Sequence, residues 1–366
     1  MITEAQVREA LRSVNDPEIG KPIEDIGMHD RIEVDGGLVR VHVLLTIEGC
    51  PLRDRITQDV TAAVAPLAGV ERVEVGLTPM SAEQRERLVG QLRGPTAQGP
   101  TKISFSPQTS IVAVASGKGG VGKSSVTVNI ACALAAEGAN VGILDADVWG
   151  FSVPRMIGAE GKPVGFNDMI LPLEAHGVKV ISMGFFVPEE TPVIWRGPML
   201  HKAIEQFLGD VYWGDLDFLL CDLPPGTGDV SISLASFLPG ASMLVVTTPQ
   251  DAARSVAERA GKMAERTNLR AIGVVENMSH YVCPHCGEPD PIFGEGGGRE
   301  AAETLGVPLM AQVPLTRALR EGGDTGSPIV VRAPEDPASV ALREAATAVR
   351  AATKSRIGKP LAVTAR

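Results

Sequence analysis

The residues best placed to do chemistry in this 366-residue chain fall into a glycine loop, a pair of acid-ended apolar runs and a cysteine turn. The loop is Gly117-Lys118-Gly119-Gly120-Val121-Gly122-Lys123-Ser124, followed by Ser125. Glycines at this density let successive backbone N–H groups turn toward phosphate oxygens, and a following helix adds the positive end of its dipole. Lys123 can reach the β- and γ-phosphates of a nucleoside triphosphate, and the Ser124 hydroxyl can ligate Mg2+. Lys118 adds a second cation, which either meets phosphate or is simply a solvated loop charge.

The run Val141-Gly-Ile-Leu-Asp145-Ala-Asp147 reads as a buried strand ending in carboxylates. Acids at the C-terminal end of a parallel strand lie on the edge where α/β sheets bind ligands. Asp147 is the candidate for orienting the attacking water, because phosphoryl transfer depends on positioning and electrostatics. Asp145 is expected at most to support the Mg2+ shell or the loop. Leu216-Asp-Phe-Leu-Leu-Cys221-Asp222 repeats the pattern, so Asp222 is expected to act on Mg2+ through water. Pro224-Pro225-Gly226-Thr227-Gly228 then forms a loop that can offer an N–H to a γ-phosphate.

Cys283-Pro284-His285-Cys286-Gly287 puts two thiolates close enough to share a metal. It is half of a site, since zinc knuckles and iron–sulfur clusters ordinarily take four ligands. A second copy of the chain related by a two-fold axis would supply the other pair. Zinc and iron both accept four cysteines, and reduced surface thiols remain a third reading. His285, between the cysteines, either ligates or faces solvent. Cys50 stands where a strand gives way to a helix opened by Pro51, and it reads equally as a reactive thiol or a small buried hydrophobe. Cys132 and Cys221 are expected in the core. Five cysteines is an odd count and argues against a simple disulfide framework.

These groups need positioning elements. Ser110–Ala115 is an apolar run before the glycine loop, and a helix is expected from Ser125 to Glu137, closed by Gly138. Strands are expected at 241–249 and 270–278, separated by a helix from about Ala252, so the alternation predicts a mostly parallel sheet with helices on both faces. A small α/β domain is expected at 1–80: a capping box at Thr3–Gln6, a hairpin turning at Asp35-Gly36-Gly37, a helix from about Pro51, and a strand at 70–75. Residues 81–109 read as a linker that includes a charged, helix-capable stretch, residues 110–357 as the nucleotide domain, and 358–366 as a tail.

Formal net charge is −10, which argues against a general nucleic-acid binder. No apolar run approaches the ~20 residues needed to span a bilayer, and the N-terminus lacks a basic region before an apolar core, so a cytoplasmic location is expected. The Ala-rich segment 336–356 lacks the pattern of a membrane-surface helix, so no membrane partner is expected.

The form KGGVGKS resembles the deviant Walker A loop of the nitrogenase-iron-protein/MinD class, in which the early lysine crosses a dimer interface to the partner's nucleotide. Taken together, GKGGVGKS, DADVWG, DLPPGTGD, ENMS and CPHC resemble the Mrp/ApbC type of P-loop ATPase that carries iron–sulfur clusters. The motifs DPEIGKPIEDIGM and TIEGCPL in 1–80 resemble the iron–sulfur-assembly domain often fused before it. That resemblance implies a homodimer holding a bridging [4Fe–4S] cluster, slow ATP hydrolysis, and delivery to client apoproteins. It also implies contact between Asn277 and adenine. Phe151 departs from the family, which usually has proline there. Two alternatives stay open: a MinD/ParA-like positioning switch, and an ATPase with structural zinc at the dimer interface.

Overall fold

A computed structural model describes residues 2–353 apart from 18, 47–51, 94–102, 104, 149, 168, 187–196, 227–228, 251–252, 268 and 284. Cys50, Thr227, Gly228, the Gly94–Pro100 stretch and the 358–366 tail therefore lie outside the described residues. The chain divides into two compact units.

The first unit comprises Met1–Lys102, Val164–Leu171 and Asp210–Gly214. It opens with α1 (Glu4–Leu11), whose start is fixed by the expected capping box: Thr3 Oγ1 accepts from the Gln6 N–H, and Gln6 Oε1 accepts from the Thr3 N–H. Strands β1 (His29–Asp35) and β2 (Leu38–Leu45) form an antiparallel hairpin that turns at Gly36, where φ is +61°. The helix α2 (Arg53–Val64) buries Ile56, Val60 and Val64, one face at a four-residue spacing. β3 (Arg72–Pro79) lies parallel to β2, and α3 (Ala82–Arg93) follows inside the stretch read as linker.

The second unit begins at Ile103. Its first elements are β4 (Ser110–Ala115), α4 (Lys123–Ala136), β5 (Val141–Asp145) and α5 (Val153–Ile157). The chain then gives the short hairpin β6 (Val164–Phe166) and β7 (Met169–Leu171) to the first unit. Phe166, Met169, Leu171 and Tyr212 join that unit's core, and the Tyr212 N–H donates to Ile170 O at 2.8 Å. Back in the second unit come β8 (Leu173–Ala175), β9 (Val178–Ser182), α6 (Gly197–Gly209), β10 (Phe218–Asp222), α7 (Asp229–Phe237) and β11 (Ser242–Thr247). The rest is α8 (Ala253–Thr267), β12 (Arg270–Val282), β13 (Pro289–Asp290), α9 (Gly297–Leu305), β14 (Leu309–Leu315), α10 (Arg317–Asp324), α11 (Ile329–Arg332) and α12 (Pro337–Thr353).

The sheet of this unit runs β13-β12-β11-β4-β10-β5-β9-β8, with β14 also pairing β12. β4, β5, β9, β10, β11, β12 and β14 pair in parallel, while β8 and β13 are antiparallel additions. This is the expected mostly parallel α/β sheet. α4 is buried almost all round from Val126 to Leu134, so its apolar sequence has no polar stripe. Among the described residues, no helix is long and apolar enough to cross a membrane.

Candidate functional site: a phosphate loop and a cysteine turn

Because β4, β5, β10, β11 and β12 are parallel, their C-terminal ends lie on one edge of the sheet. The loop 117–122 leaves β4 there and turns into α4. Gly120 (φ +76°) and Gly122 (φ +77°) take left-handed conformations that L side chains rarely adopt. At Gly122 a Cβ would also collide with Asn277 Nδ2, so the loop requires glycine for space as well as for backbone freedom. Gly122 caps α4 without a side chain, which leaves the first N–H groups of the helix for an anion.

Lys123 and Ser124 stand on the first turn of α4 and face the end of β10. Lys123 Nζ lies 2.8 Å from Asp222 Oδ1 and 3.9 Å from Asp147 Oδ2, with the lysine side chain 6% exposed and Asp222 fully buried. Ser124 Oγ donates to Asp222 Oδ2 at 2.5 Å. Thr127, which sequence reasoning passed over, donates Oγ1 to Asp222 Oδ1 at 2.9 Å. It sits one helical turn beyond Lys123 and Ser124, and that spacing was the available signal. Asp147 Oδ1 accepts from the Gly150 N–H at 3.1 Å.

Asp145 is held differently. Register pairs it with Asp222 on the adjacent strand, and it accepts from Ser182 Oγ (2.9 Å) and the Asp147 N–H (3.2 Å). Burial, and then the neighbouring Asp222 charge, raise its pKa well above the usual carboxylate range, against the opposing pull of Ser182 and Lys123. Its contacts make it a support for Asp147 rather than a group open to a ligand.

Lys118 Nζ is hydrogen-bonded to Gln250 Oε1 just after β11, and Arg259 of α8 donates to Gly117 O at 3.2 Å. Neither partner was legible in the sequence, since both come from more than a hundred residues away. Ser125 O accepts from Asn129 Nδ2 at 2.9 Å. Asn277 Nδ2 donates to Val121 O at 2.8 Å, while its Oδ1 is buried with no hydrogen-bond partner. A buried acceptor left open beside a nucleotide loop suits a ligand N–H.

The cysteine turn closes the hairpin of β12 and β13. The Cys283 N–H donates to Glu288 O at 3.1 Å, and the Gly287 N–H donates to Cys283 O at 2.9 Å, with Gly287 at φ +74°. The Cys286 N–H, then the His285 N–H and the Cys286 thiol, stabilise a Cys283 thiolate and lower its pKa. Cys286 and His285 are exposed. Cys132 and Cys221 are buried in the core, where desolvation pushes the Cys132 thiol up to about 12 and raises Cys221 as well. Among the described residues, no group of three or more His, Cys, Asp or Glu side chains is arranged to hold a metal ion.

A glycine loop between a parallel strand and a helix, with lysine and serine facing a strand-end aspartate, defines a P-loop nucleotide-binding protein. A family profile described as NUBPL iron-transfer P-loop NTPase matches residues 108–350, and the chain belongs to that family. A second profile, for iron-sulfur cluster assembly proteins, matches residues 4–75. An iron-sulfur cluster carrier protein of Mycobacterium tuberculosis is 53% identical over 340 residues, covering 90% of this chain and 89% of its own. One from Synechocystis sp. is 43% identical over 350 residues, covering 93% of this chain and 95% of its own. A nucleotide-binding protein from Archaeoglobus fulgidus, solved with ADP, superposes with a TM-score of 0.53 at 38% identity, over 60% of this chain and 87% of that one.

Proposed function

We propose that the chain is an ATP-hydrolysing iron–sulfur cluster carrier. Two copies hold one [4Fe–4S] cluster between their Cys283 and Cys286 pairs and pass it to client apoproteins. The observation that carries this reading is the cysteine turn, whose backbone N–H groups favour the thiolate form of Cys283, the form that ligates metal. Each chain offers two cysteine sulfurs in the turn, Cys283 and Cys286, and, among its described residues, no third ligand arranged beside them. A two-fold pair supplies four. The cluster is cargo, and the names of the 53% and 43% identical relatives support the same role.

On the nucleotide side, the backbone N–H groups of 119–124 bind phosphate and Lys123 neutralises charge on the β- and γ-oxygens. Ser124 Oγ and Asp222 Oδ2, already 2.5 Å apart beside Lys123, form a hydroxyl–carboxylate donor set that suits Mg2+. Bound there, Mg2+ would spread the charge of the phosphate oxygens. Asp147, tied to Gly150 N–H and backed by Asp145, orients water toward the γ-phosphate. Asn277 Oδ1 accepts from the adenine amine, which the guanine edge cannot replace because it presents a carbonyl there. Lys118 leaves Gln250 to reach the nucleotide of the partner chain.

The test is anaerobic reconstitution with iron and sulfide, then incubation with an iron–sulfur-dependent apoenzyme. Activation of the apoenzyme by the loaded protein, lost in Cys283→Ser, is expected. A loaded protein that never activates an acceptor would overturn the carrier reading.

A further inference from the structure

One strand joins the two halves of the site. β12 carries Asn277 at the phosphate loop and runs on to Val282, directly before Cys283. At ~3.3 Å per residue, six residues of strand set the two points roughly 20 Å apart. The strand is not regular between them. Met278 has φ +57°, in the left-handed region, although it is not glycine. From Asn277 to Tyr281, β12 advances four residues while its parallel neighbour β14 advances only from Val313 to Leu315. The surplus residues bulge out of the ladder at this point.

The two sides of the bend are held unequally. Before it, the buried Glu276 carboxylate accepts from the Gly298 N–H and from Gln312 Nε2, and Asn277 Nδ2 grips Val121 O. The Met278 methyl lies 3.8 Å from where a Cβ on Gly122 would stand, so the bent residue also rests against the phosphate loop. After it, among the described residues, β12 meets β14 at a single pair, Tyr281 opposite Leu315, and takes the short β13 at Tyr281 and Val282, which closes the cysteine turn. A left-handed residue of this type persists only where its surroundings impose it, and here part of those surroundings is the nucleotide loop itself.

We propose that the left-handed bend at Met278 is the hinge through which the phosphate loop sets the position of the cysteine turn. Filling the loop moves Val121 O and Gly122, these move Asn277 and Met278, and the short arm beyond the bend re-aims Cys283 and Cys286. The inference rests on the carrier reading only for what the cysteines hold; the mechanical coupling stands apart from the cargo.

The test uses full-length protein free of metal. The rate at which iodoacetamide alkylates Cys283 and Cys286 is followed by peptide mass mapping, with and without a non-hydrolysable ATP analogue. The parent should show a nucleotide-dependent change on the order of 5-fold or more, the usual size of coupling between sites. Met278→Gly frees the bend, so the nucleotide effect should disappear even when the analogue is saturating. Met278→Asn, which tolerates the left-handed region, should keep the effect. The proposal is overturned by alkylation indifferent to nucleotide in the parent, or by a parent-like response in Met278→Gly. Should Met278→Gly not fold, amide hydrogen exchange over 279–283 in the parent decides: it must change with the analogue, and identical exchange also overturns the hinge. No iron or zinc enters the assay, so its failure leaves the cargo reading standing, and a protein that loads no cluster leaves the hinge standing.

Discussion

Lys123 Nζ and Asp222 Oδ1 meet at 2.8 Å in a pocket that excludes almost all solvent. The lysine is the cation beside the buried carboxylates of Asp222 and, at 3.9 Å, Asp147. Removing it leaves the Asp222 carboxylate buried without its cation. Lys123→Ala should therefore lower nucleotide affinity by about 10–100-fold and also cost about 3–5 kcal/mol of nucleotide-free stability. The double variant Lys123→Ala/Asp222→Asn should cost less than the sum of the single variants, as measured by denaturant unfolding. Additive losses would mean that the pair is not coupled.

Gly122→Ala should abolish nucleotide binding. The substitution meets both a left-handed backbone and Asn277 Nδ2, so the loop must move away from the position that Asn277 now holds. Calorimetric titration with ATP checks this; retained affinity would show that the loop can relocate at little cost.

The loop was legible because its glycines, lysine and serine are local and its flanking patterns are strong: β4 spans the expected 110–115, and α4 begins at Lys123, two residues earlier than expected. Asp222 was legible for the same reason. Thr127 was legible in principle, from helical spacing alone. Gln250 and Arg259 were not, because no local pattern tells which residue of a distant loop will fold back onto Lys118 or Gly117. The insertion of Phe166, Met169, Leu171 and Tyr212 into the core of the first unit was hidden likewise, since short apolar runs do not declare which core they will join. Met278 carries no sequence signal for a left-handed backbone at all.

Asp145 gives a pH dependence. Its raised pKa means that the folded chain holds this proton more firmly than the unfolded chain does. Above the ordinary carboxylate range the folded state thus binds more protons, and stability falls as pH rises until the folded group also ionises. Asp145→Asn removes that contribution while keeping an acceptor for the Asp147 N–H. Melting temperatures of nucleotide-free protein between about pH 5 and about pH 8 should decline less in the variant than in the parent. Equal declines would assign the pH dependence to other groups.

Lys118 and Lys123 should separate in function. Lys118 is hydrogen-bonded to Gln250 within its own chain, whereas Lys123 is buried against Asp222. Lys118→Ala should leave ATP binding largely intact and stop turnover, and Asp147→Ala should slow turnover with binding preserved. Loss of affinity in Lys118→Ala equal to that in Lys123→Ala would refute a role across the interface, and normal turnover in Asp147→Ala would remove that residue from the mechanism.

The central claim is one cluster shared by two chains through Cys283 and Cys286, and iron counting after anaerobic reconstitution tests it most directly. Each chain contributes two thiolates to a cluster that takes four, so iron should approach about four per pair of chains, with cluster absorbance, and vanish in Cys283→Ser and in Cys286→Ser. About four iron atoms per single chain would mean a site built within one copy. Tight zinc that iron does not displace, with no cluster absorbance, would contradict the account outright.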